Sequence, residues 1–127
     1  MHPDAQVRLP ADTAYVAVLR MATSGIAARL DFTLDDIEDL KMAISEASAL
    51  VLADATPSGS LTAEFFLSDG RITIEVSADV ADATVPDPDG FTWQVLTSTA
   101  ADVHAAAADG RLTVSLSVSS TASSARA

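Results

Sequence analysis

The sequence predicts an α+β fold, a two-layer α/β sandwich in which a mostly antiparallel sheet of about five strands carries about three helices on one face. Two Asp-Gly pairs, at 69–70 and 109–110, each separate runs of alternating apolar and polar residues, the strongest short signal for a β-hairpin. Two stretches with apolar residues at helical spacing precede the first hairpin. Because the strands alternate between an apolar and a polar side, we expect helices to cover one side only.

The first predicted elements are an edge strand and a helix. The segment AQVRLP alternates in polarity and predicts a short edge strand that ends at Pro10. Asp12 or Thr13 can cap a helix that runs to about Leu30. The predicted apolar stripe of this helix consists of Tyr15, Val18, Leu19, Ala22, Ile26 and Leu30.

The second predicted helix begins near Thr33. Thr33 and Asp36 have the spacing of a capping box, with Asp in place of the usual Glu. Acidic residues crowd the first turns, where the helix dipole favours negative charge. The predicted buried stripe consists of Ile37, Leu40, Ile44, Ala47 and Val51.

Two hairpins complete the predicted domain. The first is LTAEFFLSDGRITIEVSAD and the second is DVHAAAADGRLTVSLSV. An acidic, proline-containing loop and a short helix with Trp93, Leu96 and Ala100 at helical spacing lie between them. We expect a single domain over residues 1–118 and a disordered tail over 119–127, because SSTASSARA has nothing to bury.

Composition narrows the class of protein. The 127 residues, 49% of them hydrophobic, suit one domain with a real core. There is no apolar run long enough for a membrane span and no secretion-signal pattern. The absence of cysteine excludes disulfides, thiol nucleophiles and Cys-ligated zinc, and it fits a cytoplasmic protein.

The chain is strongly acidic, with a formal net charge of −11. Such a surface repels phosphate backbones, which disfavours direct nucleic-acid binding. A basic partner protein would be attracted to it, although the charge could equally serve solubility alone.

Few residues suggest familiar catalytic chemistry. His2 and His104 have no partner at metal-ligand spacing, so we expect no metal site. There is no G-x-S-x-G and no P-loop. The helical spacing around Trp93 favours a core position over a ligand platform.

The order of the elements, with SEA on the second helix, resembles the RsbW-like anti-sigma factor and serine-protein kinase family of the GHKL ATPase fold. The resemblance runs from about Val7 to Val118 and is densest in SGIAARLDFTLDDIEDLKMAISEA. The stretch GFTWQVLTSTAADV resembles the shortened version of a divergent actinobacterial branch.

The nucleotide motifs of that family are degraded here. The family helix carries E-x-x-x-N, in which the Glu is a general base and the Asn holds Mg²⁺; Glu46 matches, but Leu50 has no oxygen for the metal. In place of D-x-G-x-G the chain has SADVADA, in which Asp79 could stand in for the adenine-binding Asp with a one-residue slip. Of the phosphate-binding G-x-G, Gly90 survives, followed by bulkier residues.

The resemblance implies an anti-sigma factor and pseudo-kinase of partner switching and stress response. It would sequester a sigma factor of the sigma-B or sigma-F type and release it to a STAS-domain anti-anti-sigma factor, without phosphorylation. The alternative is an active serine/threonine kinase that uses ATP and Mg²⁺; otherwise we expect no cofactor. Glu46 is then either a residual base or retained scaffolding, as the phosphoryl clamps are incomplete.

The resemblance also assigns partner contacts. Arg20 occupies the position of a family arginine that contacts both the sigma factor and its antagonist. Pairing with an acid such as Asp12, or simple solvation, is the alternative for Arg20. The strand AQVRL is expected to be a homodimer edge, as in other family members.

Overall fold

A computed structural model describes residues 2–121 and confirms the α+β two-layer fold. The elements are β1 Ala5–Pro10, a short 3-10 turn Thr13–Tyr15, α1 Val16–Ala28, α2 Leu34–Leu52, β2 Ser60–Ser68, β3 Arg71–Asp79, α3 Phe91–Thr99, β4 Ala101–Ala108 and β5 Arg111–Ser119. The strands form one antiparallel sheet in the order β1-β2-β3-β5-β4. Strand β1 therefore lies at one edge of the sheet, as predicted, and β4 lies at the other.

Both predicted hairpins are present. Ser68 pairs with Arg71 across the first turn, and Ala108 pairs with Arg111 across the second. Gly70 has a φ of 66°, and both residues of the second turn, Asp109 and Gly110, have positive φ. Such backbone angles fit the twist of tight hairpin turns, which explains why Asp-Gly occurs at both places.

The core lies between α2 and the sheet. Helix α2 buries Leu40, Ala43, Ile44, Ala47 and Val51. The alternate residues of β2, β3 and β5 that were predicted to face inward are buried as well, except Leu67, which is only partly covered. The α2 start is capped as predicted: Thr33 Oγ1 accepts a hydrogen bond from Asp36 N, and Asp36 accepts one from Thr33 N.

The predicted apolar stripe of α1 was partly wrong. Helix α1 buries Leu19, Thr23 and Ala27, while Tyr15 is 38% and Val18 45% exposed. The helix is apolar or small on most sides, so periodicity alone does not fix which face turns inward. Thr23 tolerates burial because its hydroxyl donates to the carbonyl of Leu19 at 2.8 Å.

The described structure continues past the predicted domain boundary at residue 118. Strand β5 continues to Ser119, and Ser120 is buried with its N–H donating to the Gly70 carbonyl at 2.7 Å. Thr121 donates hydrogen bonds to the Asp36 carboxylate. The backbone N–H groups of Ser120 and Thr121 both have fixed partners, so the folded part reaches at least Thr121. Residues 122–127 of the predicted tail lie outside the described residues. Within 2–121, no helix is long and apolar enough to span a membrane.

Candidate functional site

An open cavity of about 400 Å³ lies between the end of α2, the loop after β3 and the start of α3. We call it the α2–α3 cavity. Its lining residues are Leu50, Ala53, Asp54, Val80, Asp82, Thr84, Val85, Pro86, Asp87, Gly90, Phe91, Thr92, Trp93 and Leu112. Most of them are apolar, and the charged ones are all aspartates.

Hydrogen bonds hold the loop wall of the cavity. The N–H of Asp82 donates to Asp54 Oδ2 at 2.9 Å, and the N–H of Ala81 donates to the Asp54 carbonyl at 2.9 Å. Farther along the loop, Gln94 Nε2 of α3 donates to the Pro88 carbonyl at 2.9 Å. The loop is thus tied to the end of α2 and to α3, so the cavity is preformed.

Helix α2 contributes Leu50 to the cavity but not Glu46. Leu50 packs against the core and lines the cavity wall. Glu46 lies one turn earlier and is half-buried, and no other residue within 2–121 forms a hydrogen bond or ion pair with its carboxylate. If Glu46 serves only as scaffolding, a hydrogen bond would be expected to hold its carboxylate, and the described residues provide none.

Asp79 does not reach the cavity. It ends β3 on the polar side of the sheet, where Oδ1 accepts from Arg111 Nη1 at 2.6 Å and Oδ2 accepts from the N–H of Ser60 at 3.0 Å. The Ser60 N–H and the Arg111 charge lower the pKa of Asp79, although partial burial opposes them. Asp79 thus forms an ion pair on the polar side of the sheet and is not among the lining residues of the cavity.

Gly90 does line the cavity, as the N-cap of α3. Its carbonyl accepts from Gln94 N at 3.0 Å, and a Cβ at Gly90 would lie 3.1 Å from the Asp87 carbonyl. The glycine therefore lets the loop turn tightly into α3. Phe91, Thr92 and Trp93 follow it and also line the cavity.

These residues do not fit Mg-ATP. Among the described residues no basic side chain lines the cavity to bind a phosphate, and Leu50 offers no oxygen to a metal. The three aspartates do not replace that ligand, since no group of three or more acidic or His residues within 2–121 could hold a metal ion. Their negative charges would also repel a triphosphate.

The chain is nevertheless similar to known kinases. The serine-protein kinase RsbW of Bacillus cereus is 39% identical over 74 residues, which are 57% of this chain and 46% of that protein. The RsbW of Bacillus velezensis is 36% identical over 81 residues, 61% of this chain and 50% of that protein. The chain is RsbW-like. Both relatives are named as serine-protein kinases, and the chain spans only about half of their length.

Solved structures support the fold of this RsbW-like chain. The RsbU and RsbW domains of Rv1364c from Mycobacterium tuberculosis match 92% of this chain and 33% of that chain, with a TM-score of 0.67 and 18% identity. A blue-light activated histidine kinase domain from Erythrobacter litoralis matches 92% of this chain and 64% of that chain, with a TM-score of 0.60 and 13% identity. Both agree with a GHKL-like fold. No protein-family model matches the chain.

Arg20 of the RsbW-like chain lies beside α2. Its Nη1 donates to Ser45 Oγ at 3.3 Å, and it lines a shallow recess with Ala17, Met21, Ser24 and Lys41. The alternative of a pair with Asp12 is wrong: no carboxylate within 2–121 is at ion-pair distance from Arg20, and Asp12 caps the 3-10 turn instead. A charged group of another molecule could therefore bind Arg20 without displacing a carboxylate.

The sequence indicated an acidic loop, which contains Asp82 and Asp87, but not that Asp54 joins them at one cavity. Asp54, Asp82 and Asp87 lie in two loops, and only their placement in space brings them to one cavity. For Asp79, by contrast, the sequence already indicated on which side of the sheet its side chain lies. Strand alternation already assigns Asp79 to the polar side with Thr73 and Glu75, since Ile72, Ile74, Val76 and Ala78 face the core.

Proposed function

We propose that this RsbW-like chain is an anti-sigma factor that sequesters an alternative sigma factor of the sigma-B or sigma-F type. A STAS-domain anti-anti-sigma partner releases the sigma factor by competing for the same surface, without phosphorylation. Both partners are cytoplasmic, and the chain acts there as part of a stress response. The proposal rests on the RsbW relatives and on the surface of α1.

The exposed face of α1 is the observation that carries the proposal. All the exposed residues of this helix are apolar or small: Ala17, Val18, Met21, Gly25 and Ala28. Met21 is 75% exposed. This face carries no charge on a chain with a net charge of −11, and exposed neighbouring apolar side chains such as Val18 and Met21 are typical of a surface that a partner covers.

Arg20 and Lys41 lie beside this face and give it polar specificity. Both line the recess next to Met21. A guanidinium can hold a partner carboxylate through two parallel hydrogen bonds, which a lysine cannot do. Two partners that each bring a carboxylate to Arg20 would exclude one another, which is sufficient for partner switching.

The acidic remainder of the surface would speed the encounter. A sigma factor carries basic regions for DNA, and opposite fields raise association rates at low salt. We therefore expect the association rate with the sigma factor to fall as the ionic strength rises. An association rate independent of salt would remove this part of the proposal.

An active serine-protein kinase is the second candidate, favoured because the RsbW relatives are named serine-protein kinases. It requires a nucleotide site, and the lining of the α2–α3 cavity argues against one. A homodimer through the free edge of β1 is compatible with both candidates, because β1 pairs only with β2 among the described strands.

The test is a titration of the chain with the sigma-B-type or sigma-F-type factors and the STAS proteins of its own organism. Arg20→Ala should weaken binding of both partners by on the order of 2 kcal/mol while leaving the melting temperature nearly unchanged. Arg29→Ala is the matched control, because Arg29 is an exposed arginine after α1 with no ion pair within 2–121. Affinities of Arg20→Ala within twofold of the unmodified chain for both partners would rule out the shared surface.

A further inference from the structure

The α2–α3 cavity combines three features in its lining. Its inner wall is apolar, formed by Leu50, Val80, Val85, Pro86 and Leu112. Two aromatic residues, Phe91 and Trp93, also line it. Its charged residues, Asp54, Asp82 and Asp87, are all acidic. We infer that this cavity binds a small organic cation, an amine with an apolar body.

The carboxylates of the cavity are available for a cation. The ion pairs within 2–121 are Lys41–Glu38, Arg71–Asp102 and Arg111–Asp79, so no basic side chain neutralises the cavity aspartates. The three carboxylates carry three formal negative charges. The start of α3 opposes them with a partial positive charge of only about half an elementary charge, so the net field in the cavity attracts cations.

The aromatic residues suit the same ligand. Phe91 is 82% exposed at the cavity, so its ring is accessible to a ligand there. Trp93 is half-buried and packs against the core, so its position is fixed. The face of an aromatic ring attracts an ammonium group, and its hydrophobic surface attracts the apolar body.

The size and the rigidity of the cavity also support a ligand. A volume of about 400 Å³ lies within the range of small-molecule sites. The hydrogen bonds from Asp82 to Asp54 and from Gln94 to Pro88 hold the walls in place, so a ligand need not order them. The inference is independent of the sigma-factor proposal, since the cavity and the recess at Arg20 share no lining residue.

Trp93 is the only tryptophan of the chain, so its fluorescence reports on this cavity directly. The probes are 2-phenylethylammonium, neutral 2-phenylethanol and anionic 3-phenylpropionate, which share one apolar body and differ in charge. Each is titrated against the full chain in buffer of physiological ionic strength, with Trp93 excited selectively. The ammonium should bind about tenfold more tightly than the alcohol, and the carboxylate should bind more weakly than the alcohol.

Variants locate the site. Asp82→Asn and Asp87→Asn should each weaken ammonium binding several-fold without changing the affinity for the alcohol. Asp89→Asn removes the same charge from the same loop outside the cavity lining and should stay within twofold of the unmodified chain. Circular dichroism confirms that each variant is folded. The inference is overturned if the ammonium gives no saturable response, if the carboxylate binds as well as the ammonium, or if Asp89→Asn weakens binding as much as Asp82→Asn.

Discussion

The carboxylate of Asp36 accepts a hydrogen bond from the backbone N–H of Thr121 at 3.0 Å. It also accepts one from the N–H of Thr33 at 3.0 Å. A single buried side chain therefore caps α2 and fastens the segment that follows β5. This contact connects residues 85 positions apart in the sequence and makes Thr121 part of the folded domain.

Asp36 should make the stability of the domain dependent on acid. Burial raises the pKa of Asp36, but the hydrogen bonds from Thr33 and Thr121 outweigh it and hold the pKa below the usual value of 3.8. The ionised carboxylate therefore contributes stability that is fully present above about pH 5 and is lost as the pH falls through the folded pKa. At neutral pH, Asp36→Asn should lower the free energy of unfolding by about 1–3 kcal/mol.

The measurement is denaturant unfolding of both proteins at pH 7 and near pH 3. The difference between them should shrink at the lower pH, because the native carboxylate is then partly protonated. Asp35→Asn is the control, an exposed carboxylate in the same turn, with an expected effect of at most about 0.5 kcal/mol. A difference that is the same at both pH values would contradict the prediction.

Ser48→Ala should stabilise the protein. The Ser48 hydroxyl of α2 is buried, and within 2–121 it has no hydrogen-bond partner. Removing it relieves the cost of desolvating a polar group, and alanine is also the better helix former, so a gain of about 1 kcal/mol is expected. Ser45→Ala is the contrast, because the Ser45 hydroxyl bonds to the Lys41 carbonyl and to Arg20. A lower denaturation midpoint for Ser48→Ala, at unchanged slope, would show that the hydroxyl has a partner in solution.

Two glycine-to-alanine changes should have opposite effects. A Cβ at Gly59 would lie 2.6 Å from Thr56 Oγ1 and 2.9 Å from Asp79 Cβ, so Gly59→Ala should destabilise the domain by about 1–3 kcal/mol. A Cβ at Gly25, in the middle of α1, would meet nothing within 4 Å. Gly25→Ala should therefore stabilise the domain by about 0.5–1 kcal/mol, the usual cost of a helical glycine. Thermal unfolding of the pair checks both signs, and equal shifts would refute the argument.

Local patterns determined most of the fold in advance. The Asp-Gly turns and strict alternation set the two hairpins, and the capping box at Thr33 set the start of α2, because each depends on neighbouring residues. The inward face of α1 was not predictable in this way, since Val18 and Leu19 are both apolar and only packing distinguishes them. The anchoring of Thr121 was not predicted either, because its partner Asp36 is distant in sequence.

The candidate site was less predictable than the fold. The inability of Leu50 to hold Mg²⁺ was evident from the sequence, because its side chain has no oxygen. The meeting of three aspartates at one cavity was not evident. The aspartates of the α2–α3 cavity lie in irregular loops, where no periodicity relates a residue to its direction.

Mg-ATP should bind weakly or not at all, and Leu50→Asn should not restore binding. Phosphoryl transfer requires a metal and phosphate clamps together, and the lining that residues 2–121 give this cavity has three carboxylates and no basic residue. Leu50 also packs on the core, so Leu50→Asn should destabilise the fold by about 1–3 kcal/mol. Calorimetry with and without Mg²⁺ measures binding, and mass spectrometry of a STAS-domain partner incubated with the chain and Mg-ATP measures phosphorylation. Micromolar, Mg²⁺-dependent affinity, or a phosphoserine on the partner that Glu46→Ala abolishes, would establish the kinase alternative and end the pseudo-kinase interpretation.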